Sequence, residues 1–96
     1  MITVQRKIGQ NRGKPRLWLE GKHLVAAGLD HGTRWTLIPT DTGFTIQRDA
    51  DGARRVAGKP GRPIIDINSP RSLGVLAGAA TVTLTYEPGG GVIHVR

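Results

Sequence analysis

The amino-acid sequence predicts a single, mainly β domain with one or two short helices. Its 96 residues include 14 glycines and 6 prolines, which is too many for a helical bundle and too dispersed for a linker. Apolar residues alternate with polar ones in short runs, the period of half-buried strands. A hydrophobic content of 38% is enough for one modest core, and a chain of this length forms one domain spanning residues 1–96.

The first predicted strand lies at the N-terminus, in the segment ITVQRKI of residues 2–8. Ile2 and Val4 alternate with polar residues there, which is typical of a strand with one buried face. The following segment, GQNRGKP of residues 9–15, is rich in glycine and in cations. It is predicted to be a basic loop that ends the strand.

The second strand and a short helix follow this loop. Leu17 and Leu19 alternate with Arg16, Trp18 and Glu20, and Gly21 breaks the strand. Residues 22–27 place apolar side chains on one helical face, and Gly28 is the expected end of that helix.

A β-hairpin is predicted next in the chain. Trp35 and Leu37 form one alternating run, and Phe44 and Ile46 form another. The segment PTDTG of residues 39–43 separates them and has the composition of a turn.

The second half of the chain begins with the polar segment 48–61, which is predicted to be an exposed basic loop with a short strand inside it. Ser69 followed by Pro70 predicts a helix start, with serine as the N-cap and proline at the first helical position. Residues 81–86 alternate cleanly, and after a glycine-rich turn residues 92–95 complete a second hairpin.

The order of predicted elements is the same in residues 15–47 and 62–96, which suggests an internal repeat joined by the basic loop 48–61. The alternative is that the two halves are unrelated in origin and have the same order of elements because they solve the same packing problem. If the repeat is genuine, each half is too small to bury its own apolar face, and both share a barrel-like core. The matched core candidates are Leu17, Leu19, Leu24, Ala27, Trp35 and Leu37 in the first half, and Ile65, Ile67, Leu73, Leu76, Val82 and Leu84 in the second.

The stretch RLWLEGKHLVAAGLDHGTRW, residues 16–35, resembles the SymE toxin family and, more distantly, the AbrB and MazE group of swapped-hairpin DNA-binding proteins. Each matching position is structural, so the resemblance bears on fold more than on function. The residues that carry it are Leu17, Leu19, Gly21, Leu24, Ala27, Gly28, Leu29, Gly32 and Trp35.

The resemblance implies a swapped-hairpin, AbrB-like β-barrel. In that superfamily two strand-helix-hairpin units interleave as a dimer, and basic residues before the first matched strand and near the short helix contact DNA. Arg16 and Lys22 occupy those positions here. A second unit in the same chain would let one polypeptide imitate the family dimer.

The charge distribution predicts a polyanionic partner. The formal net charge is +7, and most cations lie in two segments of the chain. Cations near a nucleic-acid backbone release condensed counterions, so such clusters favour phosphate binding. The alternative explanation is that these segments are simply solvated surface loops of a basic protein. The candidate nucleic-acid-binding residues are Arg6, Lys7, Asn11, Arg12, Lys14, Arg16, Lys22, Arg48, Arg54, Arg55, Lys59, Arg62 and Arg71.

Some of these side chains are also candidates for base recognition in the major groove. Arginine can donate two hydrogen bonds to guanine, and asparagine can pair with adenine. The residues in question are Asn11, Arg12, Arg16, Arg54 and Arg55.

Enzymatic function is not predicted. The chain has no cysteine, which excludes a disulfide framework, a thiol nucleophile and a cysteine-based zinc finger. His23, His31 and His94 are scattered and match no metal-binding or catalytic spacing, so no cofactor, metal or small-molecule substrate is expected. No apolar run is long enough to cross a membrane, and a cytoplasmic, nucleoid-associated protein is expected.

The leading functional hypothesis is a small basic protein that binds double-stranded DNA, as a transcriptional regulator and with homodimerisation as an open option. One alternative is a SymE-like toxin that acts on RNA or the nucleoid. Another is a protein-protein module, either an antitoxin or an inhibitor that covers an acidic surface.

Overall fold

The computed structural model describes residues 1–11, 14–68, 73 and 80–96, and for Gln10, Asn11 and Lys14 it describes the backbone only. Within these residues the chain forms ten strands and one short helix. In chain order they are β1 (Ile2–Lys7), β2 (Gly9–Asn11), β3 (Lys14–Glu20), α1 (Lys22–Ala26), β4 (Arg34–Pro39), β5 (Phe44–Arg48), β6 (Arg54–Arg55), β7 (Ala57–Lys59), β8 (Arg62–Ile67), β9 (Thr81–Glu87) and β10 (Val92–Val95).

The strands form two antiparallel sheets. One has six strands in the order β1-β9-β10-β5-β4-β6, and the other has four in the order β2-β3-β8-β7. The prediction of a mainly β fold is confirmed. The predicted closed barrel is not found among the described residues, because the edge strands of the two sheets are not hydrogen-bonded to each other.

One hydrophobic core joins the two sheets. The four-stranded sheet contributes Leu17 and Leu19 from β3 and their cross-strand partners on β8. The six-stranded sheet contributes alternate residues of β4, β5, β9 and β10, such as Phe44 and Ile46. Since successive strand residues point to opposite faces, the intervening polar residues lie on the outer faces of the sheets.

Most predicted elements are found where the alternation placed them. The predicted first strand, the strand containing Leu17, the helix after Gly21 and the two hairpins are all present. The helix predicted to start at Ser69 and Pro70 lies outside the described residues.

The two segments predicted to be basic loops contain strands. Residues 48–61 include β6 and β7, and Val56 between them is buried in the core. The N–H of Val56 donates to the carbonyl of Thr33, and its own carbonyl accepts from Gly32. Residues 9–15 likewise include β2 and the start of β3. These strands are too short for alternation to reveal, and long-range backbone pairing forms them.

The pairing of the four-stranded sheet repeats when residue numbers are shifted by 48. In the central pair of strands, Leu17 is opposite Ile67 and Leu19 is opposite Ile65. Adding 48 to 17 gives 65, and subtracting 48 from 67 gives 19, so the shift converts the first pair into the second. Such a register has a local twofold axis normal to the sheet, here between Trp18 and Asp66. The edge strands follow the same rule, because Gly9 is opposite Arg16 and Ala57 is opposite Ile64.

The six-stranded sheet has the same approximate symmetry. Phe44 is opposite Val95, and Ile46 is opposite Ile93, so the axis passes between Thr45 and His94. At the edges β1 pairs with β9, and β6 pairs with β4. Each half of the chain therefore contributes its first strand to the hairpin of the other half.

No helix among the described residues is long and apolar enough to span a bilayer.

Candidate nucleic-acid interface

The outer side of the four-stranded sheet, here called the hairpin face, carries the densest set of polar and charged side chains from the predicted site. Alternation with the buried leucines and isoleucines directs every second residue of β3 and β8 to this side. The hairpin face comprises Arg16, Trp18 and Glu20 on β3, Arg62, Ile64 and Asp66 on β8, and Lys59 on β7.

An ion pair occupies the centre of the hairpin face. The Nε of Arg16 donates to Asp66 Oδ1 at 2.8 Å, and its Nη2 donates to Asp66 Oδ2 at 2.7 Å. The same guanidinium lies 4.6 Å from the centroid of the Trp18 ring. The hydrogen bonds to Asp66 raise the pKa of Arg16, although desolvation opposes them. The positive charge of Arg16 is thus balanced by the carboxylate of Asp66.

Lys59 and Arg62 differ from Arg16 in this respect. They are directly opposite each other across the β7–β8 hairpin, and both are exposed. Neither forms an ion pair within the described part of the chain. Like charges directly opposite in a sheet destabilise it, and a bound anion removes that repulsion.

A groove of about 520 Å³ adjoins this pair of cations. Gly58 leaves one wall without a side chain, and its φ of +90° favours glycine. The lining residues are Glu20, Gly21, Gly58, Lys59, Arg62, Pro63 and Ile64.

The two hairpins of this sheet project from its opposite ends. The Asn11–Lys14 pair lies beyond the Leu17–Ile67 end of the central ladder, and Lys59–Arg62 lies beyond the other end. With a rise of about 3.3 Å per residue, the two hairpin pairs are roughly 25 Å apart.

Lys22 lies near the second hairpin. It opens α1 and is exposed, and the preceding residue, Gly21, donates its N–H to the carbonyl of Pro63 on β8. This cation therefore adjoins the hairpin face.

Lys7 and Arg55 lie elsewhere, on the outer face of the six-stranded sheet. Lys7 is opposite Thr81, and Arg55 is opposite Arg34 at the other edge of that sheet. The shift of 48 relates position 7 to position 55, so these two cations are at symmetric positions, and both lie on a different sheet from the hairpin face.

Arg6 and Arg54 are exposed, although their cross-strand partners Val82 and Trp35 are buried. The Nε of Arg6 donates to the carbonyl of Trp18 at 3.3 Å, which links the edges of the two sheets. The guanidinium of Arg54 lies 5.2 Å from the centroid of the buried Trp35 ring. Arg6 thus links β1 to β3, and Arg54 of β6 lies against a core tryptophan of β4.

Arg48 is also engaged with the backbone. Its Nη1 donates to the carbonyl of Gly28 just after α1. Gly91 lies so close to this side chain that an added Cβ would be 2.8 Å from the Cβ of Arg48. Arg48 thus packs where the β9–β10 turn meets the end of the helix.

The described cations of the predicted site do not share one face, because they divide among the hairpin face, the opposite sheet and the edges of the core. Arg12 and Arg71 lie outside the described residues, and the side chains of Asn11 and Lys14 do too. The sequence prediction missed Glu20, Ile64 and Asp66. The sequence signal that could have found them is the similarity of Gly13-Lys14-Pro15 to Gly61-Arg62-Pro63. It indicates that the strands following these two segments are equivalent, and Glu20, Ile64 and Asp66 lie on those strands.

Across the described ranges, no three His, Cys, Asp or Glu side chains come together as a metal site. His94 instead contacts Glu87, with 3.2 Å between Nε2 and Oε2, on the outer face of the six-stranded sheet. Comparisons with protein-family models, curated proteins and solved structures gave no match. The likeness of residues 16–35 to the swapped-hairpin proteins therefore remains a likeness of sequence pattern.

Proposed function

We propose that this chain binds double-stranded DNA through the hairpin face and acts as a transcriptional regulator. The observation that carries the proposal is the exposed Lys59–Arg62 pair, which forms no ion pair among the described residues and projects on a β-hairpin. The symmetric ladder of β2 and β3 ends at the Asn11–Lys14 pair, at the other end of the same sheet.

The geometry favours a duplex over a single strand. A two-stranded β-ribbon fits the major groove, and the spacing of roughly 25 Å between hairpins corresponds to about seven base pairs at 3.4 Å each. Single-strand binding depends on several exposed aromatic platforms. The hairpin face has one aromatic residue, Trp18, and the guanidinium of Arg16 lies against its ring.

The pairing pattern supports a swapped-hairpin origin for this scaffold. Each half contributes its first strand to the hairpin of the other half, and the registers of the four-stranded sheet repeat with a shift of 48. We propose that the chain is a tandem pair of units that folds as the superfamily's dimers do, so one chain presents both hairpins.

The test is a fluorescence-anisotropy titration with a labelled duplex across a salt series. Binding should weaken steeply as salt increases, because each phosphate contact releases counterions. The double variant Lys59→Gln/Arg62→Gln should bind at least about tenfold more weakly, with a shallower salt dependence, because it loses two phosphate contacts.

The matched control is Lys7→Gln/Arg55→Gln, which removes the same charge from the outer face of the six-stranded sheet. This control should keep affinity within about threefold of the unmodified chain, since only long-range electrostatics change. An equal loss in both variants would show that net charge alone attracts DNA. Absence of binding at low salt would refute the proposal altogether.

A further inference from the structure

We propose that the groove beside the β7–β8 hairpin is a second binding site, for a small organic phosphate with a flat apolar body such as a nucleoside monophosphate. This ligand site stands on its own observations. Its competition with DNA rests on the function proposed above, because both ligands use Lys59 and Arg62. The expectation that the chain has no small-molecule ligand is replaced here.

The phosphate end of the ligand is specified by Lys59 and Arg62. Their Cα atoms are directly opposite each other on one face of the hairpin, so both cationic groups can reach one anion. A phosphate between them gains charge-assisted hydrogen bonds and relieves the repulsion of the two cations. Arg16, by contrast, is paired with Asp66 and has no such role.

The apolar body of the ligand is specified by the floor of the groove. Ile64 is half-buried and Pro63 is buried, and both line the groove next to the cations. The bare backbone at Gly21 leaves room beside them, because nothing lies within 4 Å of the position that its Cβ would take. A volume of about 520 Å³ lies within the range of roughly 300–1,000 Å³ typical of small-molecule sites.

Glu20 gives the groove a preference among phosphates. It is directly opposite Ile64 and is one of the residues that line the groove, and a carboxylate there can accept a hydrogen bond from a ring amine or a ribose hydroxyl. The same carboxylate repels additional phosphate groups. A monophosphate that carries a hydrogen-bond donor on its body fits this combination better than a polyphosphate.

The two halves of the chain differ at the decisive position. A shift of 48 relates Ile64 to Arg16, so an apolar residue lies on one side of the symmetry axis and a paired cation on the other. The same shift relates Gly58 to Gln10. The apolar floor therefore belongs to the β7–β8 end of the hairpin face, next to the two cations that form no ion pair in the described part of the chain.

The experiment is an amide NMR titration of the whole chain with adenosine monophosphate, and separately with adenosine and with inorganic phosphate. The site predicts saturable shifts at residues 20–22 and 57–64. Adenosine or phosphate alone should bind at least about tenfold more weakly than the nucleotide, because each lacks one half of the recognition.

Two variants test the halves of the site separately. Lys59→Gln/Arg62→Gln should lower nucleotide affinity at least about tenfold, and Ile64→Arg should do so while leaving duplex DNA binding intact or tighter. Lys7→Gln/Arg55→Gln is the control for charge and should bind the nucleotide normally. Shifts at all cations, or equal shifts from phosphate and nucleotide, would overturn the proposal.

The source of the nucleotide is decided by comparing the free nucleotide with a 5′-phosphorylated single-stranded oligonucleotide. A free effector predicts no gain from the attached strand, whereas a strand-end site predicts tighter binding of the oligonucleotide. Displacement of duplex DNA by the nucleotide measures the competition. If DNA fails to bind while the nucleotide shifts remain, the function proposed above fails and the groove stands.

Discussion

At the scale of single residues, Asp66 decides which cations of the hairpin face remain available. Its carboxylate forms two hydrogen bonds with Arg16, whose side chain also lies against Trp18. The side chains of Arg16 and Asp66 are 31% and 28% exposed, and ion pairs this close to solvent contribute little to stability. Its consequence is electrostatic, because it cancels a positive charge at the centre of the proposed DNA contact.

The substitution Asp66→Asn should therefore tighten DNA binding severalfold at low salt, because it releases Arg16 for phosphate contact. The thermal midpoint of unfolding should change little. The measurement is the anisotropy titration with the labelled duplex. Glu87→Gln removes the same negative charge from the opposite sheet and should have a smaller effect; if it tightens binding equally, Asp66 has no special position.

Tyr86 gives the protein a dependence on alkaline pH. Burial raises the pKa of its phenol, and the charge of Arg6 opposes that shift in part. The neutral form is thus favoured in the folded state. Its contribution to stability is complete below the ordinary tyrosine pKa of about 10, and it is lost as the pH rises through the higher pKa of the folded state.

Tyr86 is the chain's single tyrosine, so its ionisation can be followed directly by absorbance. Tyrosinate absorbance should titrate above pH 10 in the folded protein, and the urea midpoint should fall over the same range. In Tyr86→Phe this part of the alkaline loss should disappear. If Tyr86→Phe loses as much stability above pH 10 as the unmodified chain, the loss comes from deprotonation of lysines and not from Tyr86.

At the scale of elements, the β7–β8 hairpin depends on glycine at two positions with different surroundings. Gly58 and Gly61 both have positive φ, at +90° and +77°. A Cβ at Gly58 would collide with the carbonyl oxygen of Arg62, whereas at Gly61 nothing lies within 4 Å. The first position combines backbone strain with a clash, and the second has strain alone.

Gly58→Ala should therefore cost about 2 to 3 kcal/mol of unfolding free energy, and Gly61→Ala about 1 kcal/mol. Urea denaturation measures both. If the two alanine variants are equally stable, the close approach of Gly58 to the opposite strand does not exist.

The sequence predicts the long elements because their alternation is regular. Leu17 and Leu19, or Phe44 and Ile46, give a period of two that places a strand without any knowledge of its partner. The strands Gly9–Asn11, Arg54–Arg55 and Ala57–Lys59 are too short and too polar to carry that signal. They exist because longer strands beside them offer unpaired backbone groups.

The sequence identifies which residues are candidates for the site, but it does not predict how the fold arranges them in space. Clustering along the chain identified the cations, but strand alternation separates neighbours such as Arg54 and Arg55 onto opposite sides of one sheet. The pairing of Arg16 with Asp66 joins positions 50 residues apart. Sequence alone could not supply that pairing, because it depends on the register between β3 and β8.

At the scale of the whole molecule, the ladders that join β3 to β8 and β5 to β10 each connect the first half of the chain to the second. The edge strands are exchanged as well. Neither half can complete a sheet or bury its apolar face alone.

Separate peptides of residues 1–48 and 49–96 should each be largely unfolded as isolated monomers. Mixed in equal amounts, they should form a β-rich complex of the size of the intact chain, which circular dichroism and size-exclusion chromatography would detect. A half that folds alone as a monomer would contradict the exchanged arrangement.

The central claim is that duplex DNA contacts the hairpin face, and amide chemical-shift mapping with a short duplex of about ten base pairs tests it most directly. We expect low-salt shifts concentrated on the β2–β3 and β7–β8 hairpins and on Lys22, with the outer face of the six-stranded sheet unchanged. Shifts concentrated around Lys7, Arg34 and Arg55 on that opposite sheet would contradict it.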